Sequence, residues 1–219
     1  MPTIAFLSGK GGVGKTTSAL VLALGRAQAG LPSVLIDADP NLPLTAWAER
    51  RGPPSGVEVI AAPSSGDLPA ALRRARARGS FVIIDTEGGA VRLGGLATAQ
   101  ADLVIAPLAP SPLEVRETLR TRARTDAAAR REGRVIPFAA LFARAPSGYR
   151  RAFEASRITL EAAGATLLST VLFDREAFRL LFDRGGALTD LPVREVPGVL
   201  AARRLARAFA DEITDIFDL

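Results

Sequence analysis

The 219-residue sequence contains no cysteine and no histidine. The first absence excludes disulfides, thiolate zinc sites, iron–sulfur clusters and cysteine nucleophiles. The second excludes imidazole base catalysis and histidine metal sites. Lysine is nearly absent too: Lys10 and Lys15 stand alone among 28 basic residues, the other 26 being arginine. No apolar run approaches the roughly 18 residues of a membrane span. No signal peptide is read either, because the short apolar stretch Thr3–Leu7 is broken at once by Gly9–Gly14. A cytoplasmic protein is expected. Its chemistry must use carboxylates, lysine, arginine, hydroxyls, backbone groups, or a metal held mainly by oxygen.

Apolar types make up 48% of the chain and charged types 23%, enough for a sizeable core and too apolar for general disorder. Short apolar runs end in glycine or aspartate and alternate with helical stretches. Strands are expected at Thr3–Ser8, Val34–Ile36, Val57–Ala61, Phe81–Ile84, Leu103–Pro107, Val135–Phe142 and Leu167–Leu172. Helices are expected at Thr16–Ala29, Leu44–Arg51, Leu68–Arg78, near Leu93–Gln100, and at Leu113–Arg131, Tyr149–Ala163, Ala177–Phe182 and Val199–Phe217. This alternation is the signature of an α/β fold with a mostly parallel twisted sheet covered by helices on both faces. No linker divides the chain, so residues 1–219 read as a single domain.

The segment Gly9-Lys10-Gly11-Gly12-Val13-Gly14-Lys15-Thr16-Thr17 follows an expected strand and opens an expected helix. It satisfies the G-x-x-x-x-G-K-[ST] pattern of a phosphate-binding loop in the context that pattern requires. Gly11, Gly12, Val13 and Gly14 can turn successive N–H groups toward phosphate oxygens. The helix start adds a partial positive charge. Lys15 is placed to reach the β- and γ-phosphates, the Thr16 hydroxyl to ligate Mg²⁺, and Thr17 to line the same site. Lys10 leaves the opposite side of the loop and is expected to point outward. In a chain that otherwise uses arginine, an outward lysine here suggests a second phosphate contact made on dimerisation.

Three aspartates follow at strand ends. Asp39 is the candidate for orienting the attacking water or the water shell of Mg²⁺, and Asp37 for supporting the metal shell and the loop. The alternative is that both cap a turn before Pro40. Asp85 closes the run Phe81-Val82-Ile83-Ile84, the position from which a carboxylate holds Mg²⁺ through water in P-loop enzymes. Glu87 either approaches the γ-phosphate or is an exposed loop residue.

With these residues the sequence resembles the ParA/MinD group of deviant Walker ATPases. The extra lysine Lys10, the stretch Asp37-Ala38-Asp39-Pro40-Asn41, Leu44-Thr45-Ala46-Trp47 and Ala109-Pro110-Ser111-Pro112-Leu113 carry the likeness. Within the group it is most similar to small ParF-like (type Ib) partition ATPases and the related accessory ATPase of T-DNA transfer. The resemblance implies a nucleotide-sandwich homodimer formed with ATP and Mg²⁺. Lys10 would cross to the other subunit's phosphates, Lys15 would serve its own, Thr16 and Asp85 would hold the metal, and Asp39 would carry hydrolysis. It also implies nonspecific binding to double-stranded DNA, hence nucleoid association. Hydrolysis would be stimulated by a ParB-like or cargo-adaptor partner. Asn41 stands where many relatives have glutamine, and Glu87-Gly88 where many have proline. No N-terminal helix-turn-helix domain is expected.

Between Arg116 and Arg157 there are eleven arginines against four carboxylates, an excess of seven positive charges in a chain whose total is +5. Arg120, Arg124, Arg150, Arg151, Arg203, Arg204 and Arg207 are the candidate DNA contacts. Rows of this kind meet phosphates without reading bases; the alternative is a solvated arginine-rich face. No aromatics are interleaved, so single-strand stacking is not indicated. Trp47 reads as a helix anchor. The last helix turns acidic at its end (Asp211, Glu212, Asp215, Asp218), which anionic lipid would repel, so no stable membrane association is expected. Two other functions fit the phosphate loop: a metabolic or assembly enzyme such as an amide-forming synthetase, and a nucleotide-switched scaffold that does not bind DNA.

Overall fold

The apolar runs bounded by glycine become the strands of one sheet in the computed structural model, which describes residues 2–89, 91–145 and 150–218. In chain order the first half comprises β1 (Thr3–Phe6), α1 (Lys15–Gln28), β2 (Ser33–Ala38), α2 (Pro43–Arg51), β3 (Val57–Ala61), α3 (Leu68–Ala77), β4 (Phe81–Thr86) and α4 (Val91–Gln100). The second half comprises β5 (Leu103–Leu108), α5 (Pro112–Glu132), β6 (Phe138–Ala145), α6 (Arg150–Ala162), β7 (Thr166–Phe173), α7 (Glu176–Arg184) and α8 (Val199–Ile216). A 3-10 turn spans Leu188–Asp190. The sheet has seven strands in the order β3-β2-β4-β1-β5-β6-β7, and every paired neighbour is parallel. The expected α/β class is the observed one.

Alternating side chains split between the two faces, as the pleat requires. On β5, Leu103 and Ile105 join the layer formed with α1, α2, α7 and α8. Val104 and Ala106 join the opposite layer with α3 and α4, and Leu108 packs there with α5 and α6. β1, β2, β4 and β5 are buried along their whole length, which is why they read as continuous apolar runs.

The two-faced burial is tightest where α1 crosses α8. A Cβ added at Gly25 would lie 1.9 Å from the Ala206 carbonyl oxygen, so glycine there permits backbone-to-backbone approach. One residue on, Arg26 is 5% exposed and has no carboxylate partner among the described residues. Its Nε donates to Ser33 Oγ at 3.0 Å, its Nη1 to Thr214 Oγ1 at 3.2 Å, and its guanidinium lies 3.8 Å over the Phe81 ring. Burial pushes the Arg26 pKa down. The guanidinium thus ties α1, β2, β4 and α8 together. The acidic end of α8 closes the core, with Phe209 and Ile213 fully buried.

Two expectations are corrected. The strand expected from Val135 begins at Phe138, because Val135 is 84% exposed and Pro137 has no N–H for a ladder. Asp37 and Asp85 lie inside their strands, one residue before the end, paired with each other in register. Arg134 lies beyond α5: it follows the left-handed Gly133 cap and donates to the Ala99 and Ala101 carbonyls at 2.8 Å each. The expected helix start at Tyr149 lies outside the described residues.

The glycine contacts give a paired test. Gly25→Ala should destabilise the fold by about 2–3 kcal/mol through overpacking against α8. Gly95→Ala, in α4 with no atom within 4 Å of the added methyl, should stabilise it by about 0.5–1 kcal/mol. Urea unfolding of both variants measures the contrast.

Candidate nucleotide site

The sheet order places β1 between β4 and β5, and the chain turns at its carboxyl end into residues 7–14. Gly12 and Gly14 adopt φ of +75° and +98°, conformations open to glycine and strained for other residues. Gly14 is the N-cap of α1. Lys15, the first helical residue, is 6% exposed, and its Nζ donates to the Lys10 carbonyl at 3.3 Å. Burial pushes the Lys15 pKa down, opposed by the negative charges of Asp85, Asp39 and Glu87. Val13 is buried beneath the loop.

Above the loop lies a cavity of about 540 Å³, a size suited to a small ligand. Gly11, Gly12, Gly14, Lys15, Thr16 and Thr17 form its floor, with Asp39, Asn41 and Glu87 also on its wall. Arg144, Phe173, Phe178, Arg179 and Phe182 also line it.

Gly88 fixes the loop from the β4 side. A Cβ there would lie 2.7 Å from both Cα and N of Gly11, so the two segments touch backbone to backbone. Gly89 N donates to the Ser8 carbonyl at 3.2 Å, reinforcing the contact.

The three aspartates have different surroundings. Asp85 is fully buried and neither carboxylate oxygen makes a hydrogen bond. Burial, opposed by the Thr16 hydroxyl and the Lys15 charge and aided by Asp37 and Asp39, pushes its pKa up to about 7. Asp37 is also fully buried. Its Oδ2 accepts from Thr45 N at 2.8 Å and Thr45 Oγ1 at 2.9 Å, while Oδ1 has no partner. Burial raises the Asp37 pKa and the Thr45 bonds oppose it. One oxygen therefore secures α2 and the other faces no donor. Asp39 lines the cavity, with Oδ1 accepting from Asn41 N at 2.8 Å and Asn41 Nδ2 at 3.0 Å. Trp47 is 1% exposed and its Nε1 donates to the Gly186 carbonyl at 3.1 Å, which makes it an anchor of α2.

No group of three or more Asp, Glu, His or Cys side chains forms a metal cage among the described residues. The donor set suits Mg²⁺ that arrives with a phosphate, because that ion keeps several waters and needs few protein ligands. Buried Asp85, with two orphaned oxygens, and the Thr16 hydroxyl beside it would hold such an ion. It would neutralise charge on the phosphate oxygens.

Two contacts at this site were not legible from sequence. Arg144, the penultimate residue of β6, has φ +52°, and its guanidinium donates to the Gly12 carbonyl. Lys10 does not project freely; its Nζ lies 2.5 Å from Glu114 Oε1 on α5. A Ser followed three residues later by Glu marks a helix start, but nothing in that motif points to Lys10.

The candidate DNA arginines do not share one surface. Arg120 and Arg124 on α5 and Arg150 and Arg151 on α6 are exposed on the α3–α6 side of the sheet, whereas Arg203, Arg204 and Arg207 belong to α8 on the other side. Arg203 is corrected: its guanidinium donates to the Leu188, Thr189 and Leu191 carbonyls at 3.0–3.1 Å and is a structural brace. Arg207 pairs with Asp211 at 2.7 Å, and Arg120 and Arg124 both lie against Glu117.

A parallel sheet with a glycine loop, a buried lysine and an orphaned aspartate at its carboxyl edge defines a P-loop nucleotide-binding protein. The VirC1 protein family matches residues 1–218, and the chain belongs to that family, of the ParA/MinD type of ATPases. It is 30% identical to Protein ParA of Rhizobium radiobacter over 96% of this chain and 95% of the relative. It is 32% identical to Protein virC1 of Rhizobium rhizogenes over 100% and 97%. It is 25% identical to Maintenance of carboxysome distribution protein A of Halothiobacillus neapolitanus over 99% and 94%. The fold matches an ATP complex of Cyanothece McdA with a TM-score of 0.72, at 17% identity and covering 97% of this chain and 96% of that one. It also matches the septum site-determining protein MinD of Pyrococcus horikoshii OT3 with Mg-ADP, with a TM-score of 0.70 at 18% identity, covering 98% of each. The resemblance drawn from the motifs is borne out.

Two outcomes test the site. An acid whose pKa is raised on folding binds more protons in the native state, so stability falls as pH rises from about 4 through about 7. Asp85→Asn should remove that part of the slope, on the order of 3 kcal/mol between pH 4 and pH 8, in thermal unfolding of the ligand-free protein. Gly88→Ala should displace Gly11 and weaken binding of a fluorescent ATP analogue by about tenfold or more while the far-UV CD spectrum is retained.

Proposed function

We propose that this protein is an ATPase that dimerises with ATP and Mg²⁺, binds double-stranded DNA without sequence preference in that state, and lets go after hydrolysis. A ParB-like or cargo-adaptor partner stimulates hydrolysis, and the cycle partitions or positions a plasmid, a chromosome region or a protein cluster. The observation that carries the reading is the presence of two lysines on one phosphate loop. Lys15 is buried within it and Lys10 is half-exposed on its outer side. Only one is needed for a nucleotide bound in the chain's own cavity. Positive charge from outside is useful where a second subunit brings its own phosphates.

In this reading Gly11 to Gly14 cradle the phosphates with their N–H groups. Lys15 holds the β- and γ-phosphates, and Thr16 and Asp85 hold Mg²⁺, with Asp37 supporting its surroundings. Asp39, fixed by Asn41, orients the attacking water. The names of relatives point the same way, toward septum-site determination and the distribution of carboxysomes. Among the described residues no helix is long and apolar enough to cross a membrane. The acidic end of α8 also argues against a stable lipid contact.

We place the DNA contact on the α5–α6 side, with Arg120, Arg124, Arg150 and Arg151. Arg204 and Arg207 lie on the opposite layer and are secondary. The test is binding to a fluorescent duplex of arbitrary sequence, at low and moderate salt, with ATP plus Mg²⁺, ADP plus Mg²⁺ or no nucleotide, in an Asp39→Ala background that slows hydrolysis. Binding with ATP alone, weakened by salt, is expected. Arg120→Ala combined with Arg124→Ala should weaken it by roughly tenfold, and Arg204→Ala with Arg207→Ala by less than about twofold. A dimer that forms with ATP yet binds no duplex would overturn the DNA part and favour the nucleotide-switched scaffold.

A further inference from the structure

Lys10 occupies a defined place that its motif does not explain. Its Nζ meets Glu114 Oε1 at 2.5 Å, with the lysine side chain 49% exposed and the carboxylate only 10%. Glu114 sits in the first turn of α5, where its N–H donates to the Ser111 cap oxygen at 3.3 Å. The carboxylate is thus mounted on a rigid helix start, and Lys10 is its one ion-pair partner among the described residues. The peptide of Lys10 is anchored as well, through the Lys15 bond to its carbonyl. Only the Lys10 side chain has freedom to leave, and leaving strands a largely buried carboxylate.

We propose that Glu114 is a positioning residue for Lys10. It holds the lysine against its own subunit until a second nucleotide-loaded copy brings phosphates within reach, and so sets how readily the ATP dimer forms. The inference rests on Lys10 being the cross-subunit phosphate ligand of the proposed function. The exchange is physically feasible because a polyphosphate offers Lys10 more negative charge than one carboxylate. The positive end of α5 also steadies Glu114 once the lysine has gone. Breaking a buried pair opposes the exchange, though half-exposed Lys10 regains water, which limits the effect.

The experiment follows the monomer–dimer equilibrium of the full chain with ATP and Mg²⁺ by light scattering across protein concentration, in the Asp39→Ala background. Glu114→Gln should move the dimer midpoint to roughly tenfold lower protein concentration. Glu114→Ala, which leaves no amide to recapture Lys10, should shift it the same way. Both should leave the affinity of the monomer for a fluorescent ATP analogue unchanged, because Glu114 lies outside the nucleotide cavity. Lys10→Ala should abolish the dimer, and Lys10→Ala with Glu114→Gln should match Lys10→Ala alone. An unchanged or weakened dimer in both Glu114 variants, with Lys10→Ala inactive in dimerisation, overturns the role of Glu114 and leaves the proposed function standing. Normal dimerisation of Lys10→Ala overturns both.

Discussion

A buried ammonium, Lys15, and a buried carboxylate, Asp85, share the carboxyl edge of the sheet without forming an ion pair, and the surrounding architecture keeps them so. Each is costly to hold charged away from water, and each departs from its ordinary pKa for that reason. In the proposed function a phosphate and its metal would answer both at once, the ammonium taking the phosphate and the carboxylate the cation. The parallel strands deliver Asp85 from β4, and the first residue of α1 delivers Lys15. The glycine contact between residues 88 and 11 brings the two segments close enough to act on one ligand. This pair has no ion-pair relief of its own, and the sheet and the first turn of α1 hold both members in place.

The second lysine obeys the opposite rule. Lys10 is half-exposed and already has a counter-ion on α5, whereas Lys15 is enclosed and donates only to a backbone carbonyl. Two lysines five residues apart on one loop therefore have separate surroundings. Lys15 is preorganised within the cavity. Lys10 is held at the rim, where another molecule can compete for it. Arginine in either place would present a wider planar fork in place of a compact charge on a flexible stem.

The sheet and the phosphate loop were legible because their signals are local. Apolar runs of four to six residues ending near aspartate have few alternatives, and a glycine-rich turn between a strand and a helix has a geometric purpose. What sequence did not show depends on contacts across the chain. Lys10 and Glu114 are separated by 104 positions, and no local motif joins them. Arg144 takes a left-handed conformation at a strand end that carries no glycine or asparagine to announce it. Arg203 looked like its neighbours on a basic helix because a row of arginines reads alike whether it meets water or the carbonyls of an adjacent turn. The run Val135-Ile136-Pro137 read as strand on composition, although proline removes the donor that a ladder requires there.

Helix α5 links the site to the basic face. Its first turn holds Lys10 through Glu114. One turn further on, the Glu117 carboxylate packs so closely over Gly9 that a Cβ there would lie 1.9 Å from Oε1. The same carboxylate faces Arg120 at 3.3 Å and Arg124 at 3.9 Å. The outer side of the phosphate loop, two acidic residues of α5 and two arginines thus form one continuous set of contacts. Continuity alone does not make coupling; a second arrangement of these groups is required. Lys10 supplies the natural point of change, since it is the member of the set with the greatest freedom to exchange its partner. When it leaves Glu114, negative charge is left unbalanced at the start of α5, one turn from the carboxylate that restrains the arginines. Any nucleotide dependence of the basic face would therefore be strongest at Arg120 and Arg124, and absent from α8 across the sheet.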